Sequence, residues 1–252
     1  IAELSGNHCS DWNRTYKIIK GAIDAGVNAI KTQAYDAESI TFPSERKEFI
    51  LQSTLWKDRH IFDIYQEGSM PWDWHYRILK ICNENNVDFI STPFDHKGID
   101  FLEKIGCKNI KIASSEANDI DFIHYAAEKS AKLFVSIGMA TLEEVENIYS
   151  IYDEKTYQNL TLLKCTAAYP APIDDMNLMT IIDLKKRYKC NIGLSDHSLG
   201  VSIPVIAYGL GAFVFEKHIT LDRDDGALDS KFSLTPKEFK DLVSKLKITK
   251  KA

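Results

Sequence analysis

The chain has 252 residues, 44% of them hydrophobic and 27% charged, with a formal net charge of −5. That balance is ordinary for a globular protein, and it leaves no basic surplus for a partner that is a nucleic acid or an anionic membrane. No apolar run approaches the roughly 18 residues of a membrane span, and Ile1-Ala2-Glu3-Leu4 lacks the basic start and long apolar middle of a signal peptide. Cys9, Cys82, Cys107, Cys165 and Cys190 are dispersed and odd in number. That pattern predicts reduced thiols and a cytoplasmic location rather than a disulfide frame.

The chain opens on a strand over 1–4. Ser10 or Asp11 caps a helix that runs to Ala25, with Tyr16, Ile19, Ala22 and Ile23 at helical spacing and Gly26 as its stop. A second strand covers 28–33, and a long irregular excursion follows over 34–70. A helix over 71–85 leads to a third strand at 88–91, cut by Pro93. A helix at 97–105, a strand at 109–113, a helix at 119–129 and a strand at 132–136 come next. Thr141 and Glu144 have the spacing of a capping box at the start of another helix. The remaining strands are predicted at 160–165, 191–194 and 213–216, with helices at 176–188 and 201–210. Thr235-Pro236 opens a last helix, with threonine as cap and proline in the first turn.

Eight strands alternate with helices, and most strands are short apolar runs with little polar alternation. That is the pattern of a parallel sheet covered on both faces. At this length it favours closure into a (β/α)8 TIM barrel, a single domain over 1–252. An open doubly wound sheet is the alternative, but no Gly-rich dinucleotide turn follows the first strand.

In such a barrel the chemistry collects where strands end. Ser195-Asp196-His197 and Glu216-Lys217-His218 close two consecutive strands. A βαβ unit makes those strands parallel neighbours, so His197 and His218 stand at one rim and can share a divalent metal with coordination positions left open. The plainer alternative is two unrelated histidines. Lys31 and Lys111 lie inside apolar strands, where an ammonium group is costly unless it meets an anion or an internal partner such as Glu3 or Glu216. Ser91, Thr92, Ser114, Ser136 and Ser195 are small hydroxyls at successive strand ends, suited as a set to phosphate oxygens.

These residues carry a resemblance. Ile1-Ala2-Glu3, Asn7-His8, Ile30-Lys31-Thr32-Gln33, Ser91-Thr92-Pro93-Phe94, Lys111-Ile112-Ala113-Ser114, Lys164-Cys165-Thr166, Tyr169-Pro170, the two histidine triplets and Asp229-Ser230-Lys231-Phe232 resemble the sialic acid synthase family. Those enzymes condense phosphoenolpyruvate with an open-chain amino sugar. Leu55-Trp56-Lys57, Trp72-Asp73-Trp74-His75, Ser115-Glu116-Ala117-Asn118-Asp119 and Ile173-Asp174-Asp175-Met176-Asn177-Leu178 look most like the branch that makes pseudaminic acid. The neuraminate and legionaminate branches are alternatives, as is a non-catalytic sugar- or phosphate-binding barrel.

The resemblance implies roles. His197 and His218 would bind manganese or magnesium. Lys111, Ser114, Ser136, Ser195 and Thr92 would cradle the phosphate of phosphoenolpyruvate, and Lys31 would pair with its carboxylate. Glu3 would orient or deprotonate the attacking water. Gln33, Phe94, Glu116, Tyr169 and Asp229 would contact the N-acetylated amino sugar. Core packing is the alternative for Phe94 and Tyr169, and a solvated loop acid for Asp229. The family also carries a C-terminal antifreeze-like domain that joins two subunits into a homodimer. This chain reaches only Ala252, just past the last expected barrel helix, so that domain is expected to be absent from it.

Overall fold

The computed structural model describes residues 1–52 and 55–251; Ser53, Thr54 and the terminal Ala252, inside the expected 34–70 excursion and at the expected domain end, lie outside the described residues. Eight parallel strands close in sequence order: β1 (Ala2–Glu3), β2 (Ala29–Ala34), β3 (Asp88–Pro93), β4 (Asn109–Ile112), β5 (Lys132–Ser136), β6 (Leu160–Cys165), β7 (Asn191–Ser195) and β8 (Val214–His218). β8 pairs back to β1, with Glu3 opposite His218, so the sheet has no edge. The expected TIM barrel is the observed fold.

Nine α-helices are described: α1 (Trp12–Ala25), α2 (Ile61–Gly68), α3 (Trp72–Glu84), α4 (His96–Ile105), α5 (Ile120–Lys129), α6 (Leu142–Ser150), α7 (Thr180–Arg187), α8 (Ser202–Gly209) and α9 (Pro236–Thr249). The expected caps form. Asp11 accepts from the amides of Asn13 and Arg14, and Thr141 and Thr235 each complete a capping box with a glutamate.

Four local expectations need correction. The buried stripe of α1 is Thr15, Ile18, Ile19, Ala22 and Ala25, whereas Tyr16 is 47% exposed. Thr15 can be buried because its hydroxyl donates to the Asp11 carbonyl. The helix expected over 176–188 starts only at Thr180, because Asn177 takes a left-handed φ of +42° behind a 3-10 turn at Ile173–Asp175. β3 continues through Pro93, the last pair of the ladder, where no amide donor is required. The 34–70 excursion is not all irregular, since it contains α2.

Inward and outward residues alternate along each strand. Inside the cylinder, Ala29, Ile90, Phe134 and Leu163 pack with Ile1 and Val214 into an apolar plug. Outward residues such as Ile112, Val135, Leu162 and Leu194 meet Ile123, Val145, Ile148 and Ile181 from the surrounding helices. Each such fully buried aliphatic side chain contributes about 1.5–3 kcal/mol. Gly193 belongs to the plug layer of β7. A Cβ there would sit 2.5 Å from the Val214 carbonyl oxygen, so only glycine allows this approach of β7 to β8. Two residues above the plug, the same inward positions carry Lys31, Thr92, Ser136, Cys165, Ser195 and Glu216, and the interior turns from apolar to polar.

Candidate active site

A cavity of about 320 Å³ opens above the plug at the C-terminal ends of the strands. Its floor is charged. Lys31 of β2 forms an ion pair with Glu3, lies 3.5 Å from Glu216 and donates to the Thr92 hydroxyl at 2.9 Å. All of these groups are buried. Burial would lower the Lys31 ammonium, but Glu216 and Glu3 outweigh it and hold it above its ordinary value. The two carboxylates are pushed apart. Burial raises Glu3 against the pull of Lys31, whereas for Glu216 the opposing lysines and His197 outweigh burial and the group stays below its ordinary value.

Lys111 of β4 differs. It is 3% exposed, yet the contact its ammonium group makes is a 3.0 Å hydrogen bond to the Ile112 carbonyl, and no carboxylate lies within ion-pair distance among the described residues. Burial pushes it down, and the attraction of Glu216, itself countered in part by repulsion from Lys31, does not outweigh that burial. Hydroxyls line the same cavity from its own strand end, Ser114 after β4, and from two others, Ser136 on β5 and Ser195 on β7. The Ser136 oxygen is buried without a hydrogen-bond partner among the described residues. A buried cation and an orphaned donor in one pocket describe a site for an anion.

The second half of the site is the imidazole pair. The rings of His197 and His218 are 5.3 Å apart, centre to centre. His197 Nδ1 donates to the Thr166 carbonyl at 3.1 Å, which leaves Nε2 with the free lone pair. Burial would lower His197, but the Cys165 sulfur 3.9 Å from Nδ1 and the Thr166 carbonyl reverse the direction. His218 is pushed well below its ordinary value, first by burial and then by His197 and the nearby lysines. Its Nδ1 is buried with no hydrogen-bond partner among the described residues and lies 3.8 Å from Asp229 Oδ2. Two imidazoles this close, His218 with an unused nitrogen, fit a divalent ion as far as they go. No group of three or more His, Cys, Asp or Glu side chains forms a fuller cage among the described residues.

The NeuB family profile matches residues 18–252. The chain belongs to the NeuB family. It is 42% identical over 243 residues to a pseudaminic acid synthase of Campylobacter jejuni, an alignment covering 96% of this chain and 71% of that protein. It is 34% identical over 254 residues to an N,N'-diacetyllegionaminic acid synthase of the same species, covering 100% of this chain and 76% of that one. The crystal structure of N-acetylneuraminic acid synthetase from Leptospira borgpetersenii, in complex with citrate, superposes with a TM-score of 0.88 at 33% identity, covering 99% of this chain and 82% of that chain.

Most of the residues singled out for this NeuB chain by sequence meet in one cavity. Lys31, Gln33, Thr92 and Phe94 line it from β2 and β3, and Lys111, Ser114 and Ser136 from β4 and β5. Tyr169, Ser195, His197, His218 and Asp229 complete it from the last three strand ends. Glu3 and Glu116 are not on its wall. Glu3 lies beneath, held by Lys31 and by the Ser5 amide at 2.8 Å. Glu116 accepts from its neighbour Ser115 at 2.8 Å. Asp229 is only 8% exposed and accepts from the Gly6 amide, so it is not a solvated loop acid. The Tyr169 ring lies 4.4 Å from that of His197, tilted by 44°, at the cavity wall rather than in the core.

Several neighbours escaped the sequence reading as site residues. Glu216 faces the cavity two residues before His218, a spacing that the strand period itself could have flagged. Cys165 had no such signal. Tyr35, Trp56, Ile61, Ile64 and Tyr65 come from the 34–70 excursion. Other motif residues prove to hold the frame. Lys217 points outward and pairs with Asp196 at 2.7 Å, and Asn7 clasps Ile219, Ser233 and the Asp229 amide. His8 accepts the Ser10 amide proton at Nδ1 and so donates from Nε2 to the Gly68 carbonyl at 3.1 Å, tying the β1 loop to the end of α2.

Proposed function

We propose that this chain condenses phosphoenolpyruvate with an open-chain 2,4-diacetamido-2,4,6-trideoxy-hexose and water, giving pseudaminic acid and inorganic phosphate. The observation that carries the reading is Lys111, a buried ammonium with no carboxylate within ion-pair distance among the described residues, sharing one cavity with strand-end hydroxyls and two imidazoles. The identity to pseudaminic acid synthase over nearly the whole chain supports the choice of sugar.

The residues divide the work. Lys111, Ser114, Ser136, Ser195 and Thr92 hold the phosphate, with donors set in place before the reaction begins. Lys31 takes the carboxylate of phosphoenolpyruvate in a charge-assisted contact. As Lys31 turns to that carboxylate, it releases Glu3, whose affinity for a proton burial has already raised, to act as the base. Glu216 remains ionised and balances the lysines. His197 and His218 would hold a divalent manganese or magnesium ion, which supplies Lewis-acid polarisation of the sugar aldehyde when bound. Gln33, Phe94, Tyr169 and Asp229 position the sugar so that its aldehyde carbon faces the enol carbon. The enol carbon attacks that aldehyde carbon and a C–C bond forms. Water, losing its proton to Glu3, adds to the resulting oxocarbenium carbon. The tetrahedral intermediate then expels phosphate by C–O cleavage, and the departing oxyanion stays on Lys111.

The five free cysteines and the absence, among the described residues, of a helix long and apolar enough to cross a membrane are in keeping with cytoplasmic substrates. The test is phosphate release from phosphoenolpyruvate with manganese and a panel of hexosamines, with mass spectrometry of the product. Turnover is expected with the trideoxy diacetamido sugar. Release only with N-acetylmannosamine or the legionaminate precursor would reassign the branch, and no release with any sugar would overturn the enzyme reading.

A further inference from the structure

Three consecutive residues at the end of β6 converge on one ring. Cys165 faces the cavity, and its sulfur lies 3.9 Å from His197 Nδ1. The Thr166 carbonyl accepts from the same nitrogen at 3.1 Å. Lys164, one position before Cys165, points to the other face of the strand and is 7% exposed. Its ammonium group donates to the Thr166 hydroxyl at 2.5 Å, and no carboxylate lies within ion-pair distance of it among the described residues. The buried acid nearby, Asp196, is already taken by Lys217 at 2.7 Å and by the Ser198 amide at 2.8 Å. Burial lowers the Lys164 ammonium, and the attraction of Cys165, Asp196 and Asp175 does not outweigh that burial. The Thr166 hydroxyl uses its own proton as well, donating to the Asp175 carbonyl at 3.3 Å.

A buried ammonium group that meets only a hydroxyl and carries no ion pair is destabilising by itself, and an apolar side chain would fill the same space better. What Lys164 does hold is the residue whose carbonyl sets the His197 tautomer. The ladder between β6 and β7 ends at Cys165 opposite Ser195, so no strand pair fixes the peptide plane of Thr166. Its hydroxyl is tethered instead, by Lys164 on one side and the Asp175 carbonyl on the other. We infer that Lys164 is a positioning residue for His197, acting through the Thr166 hydroxyl to hold the Thr166 carbonyl against Nδ1–H and so keep the Nε2 lone pair free for a divalent ion. With the carbonyl in place the ring proton stays on Nδ1. With the carbonyl turned away the proton is free to move to Nε2, and that nitrogen can no longer serve as a ligand. The inference deepens the proposed function and rests on its assignment of a divalent ion to the imidazole pair.

The test pairs manganese calorimetry on the full chain, without substrates, with nitrogen NMR of the labelled histidines in the metal-free protein at alkaline pH. Lys164→Met should weaken manganese binding about 10- to 100-fold, the usual effect of removing an outer partner of a metal ligand. Its melting temperature should hold, because no charge is stranded, and phosphoenolpyruvate affinity should stay within about twofold, because Lys164 does not line the cavity. Thr166→Val deletes the hydroxyl, keeps the carbonyl and should weaken manganese binding on the same scale, whereas Thr166→Ser restores the hydroxyl and should stay within about threefold of the parent. In the NMR spectra the parent should show His197 with its proton on Nδ1, and Lys164→Met and Thr166→Val should show a mixture of the two tautomers. Manganese affinity and His197 tautomer both unmoved in Lys164→Met overturn the inference, and a lower melting temperature alongside them would make Lys164 a staple of the loop and nothing more. If Lys164→Met does not fold, Thr166→Val decides by the same two measurements. Absence of manganese binding in the parent would overturn the metal assignment of the proposed function, and the tautomers alone would then decide whether Lys164 positions the ring.

Discussion

Replacing Lys111 by methionine should cost function and not stability. Lys111 and Lys31 are both 3% exposed, but among the described residues only Lys31 has carboxylates within ion-pair distance. Lys31→Met leaves Glu3 and Glu216 buried around a lost cation, and breaking a buried pair in this way costs about 3–5 kcal/mol. At about 2–4 °C per kcal/mol for a chain of this size, its melting temperature should fall by roughly 10 °C. Lys111→Met removes an ammonium group whose desolvation the attraction of Glu216 offsets only in part, and it leaves Glu3 and Glu216 with Lys31 as their ion-pair partner. Its melting temperature should hold or rise by a few degrees on the same scale. Phosphoenolpyruvate binding should nonetheless fall by about 2–4 kcal/mol, the worth of a charge-assisted contact in a pocket, or roughly 30- to 1000-fold. The stability difference also has a pH signature. Burial lowers Lys111 from its ordinary value of 10.5, so between the lowered value and 10.5 the unfolded chain binds more protons than the native one. Native stability contributed at this residue therefore increases as pH rises through that window, and the advantage of Lys111→Met should shrink toward pH 10.5. Differential scanning calorimetry across pH, with calorimetric titration of phosphoenolpyruvate, makes both measurements. If Lys111→Met melts as low as Lys31→Met and still binds phosphoenolpyruvate normally, Lys111 is a structural cation and the anion site is elsewhere.

Three further outcomes are expected. Manganese titrated into chelator-treated protein should bind near one equivalent and restore phosphate release, and His218→Ala should remove both; turnover indifferent to chelation would refute the imidazole pair as a metal site. Gly193→Ala should cost about 3 kcal/mol, the upper range for overpacking, because its Cβ would press on the Val214 carbonyl, a backbone atom, at 2.5 Å; thermal melts unchanged from the parent would mean that β7 and β8 can separate freely. Lys217→Met should destabilise by about 3–5 kcal/mol by stranding the fully buried Asp196, 2.7 Å away. Retained stability measured by urea unfolding would show that water reaches that carboxylate.

The barrel was legible because each signal is local. Asp11, Thr141 and Thr235 announce helices within four residues of themselves, and short apolar runs announce strands covered on both faces. The rim residues were legible for a related reason, since closure in sequence order brings every strand end to one mouth. The electrostatics were not. Lys31 and Lys111 look alike along the chain, each an ammonium in an isoleucine-rich strand. What separates them is that β8 closes on β1, which sets Glu3 opposite His218 and brings Glu216 within ion-pair distance of Lys31 but not of Lys111. That difference belongs to the closed cylinder and exists in no segment of it.

α2 was hidden for the opposite reason: its local signal is present but points the wrong way. Ile61, Ile64 and Tyr65 have helical spacing, yet the run is eight residues long and sits among turns and charged residues. A helix this short is marginal alone and must be fixed by what it packs on. Here part of that support is Tyr35, whose hydroxyl an added Cβ at Gly68 would meet at 2.8 Å, and part is the His8 hydrogen bond to the Gly68 carbonyl. Both anchors are distant in sequence and hold the C-terminal end of the helix. Its apolar stripe is left facing the cavity, where Ile61, Ile64 and Tyr65 form part of the wall.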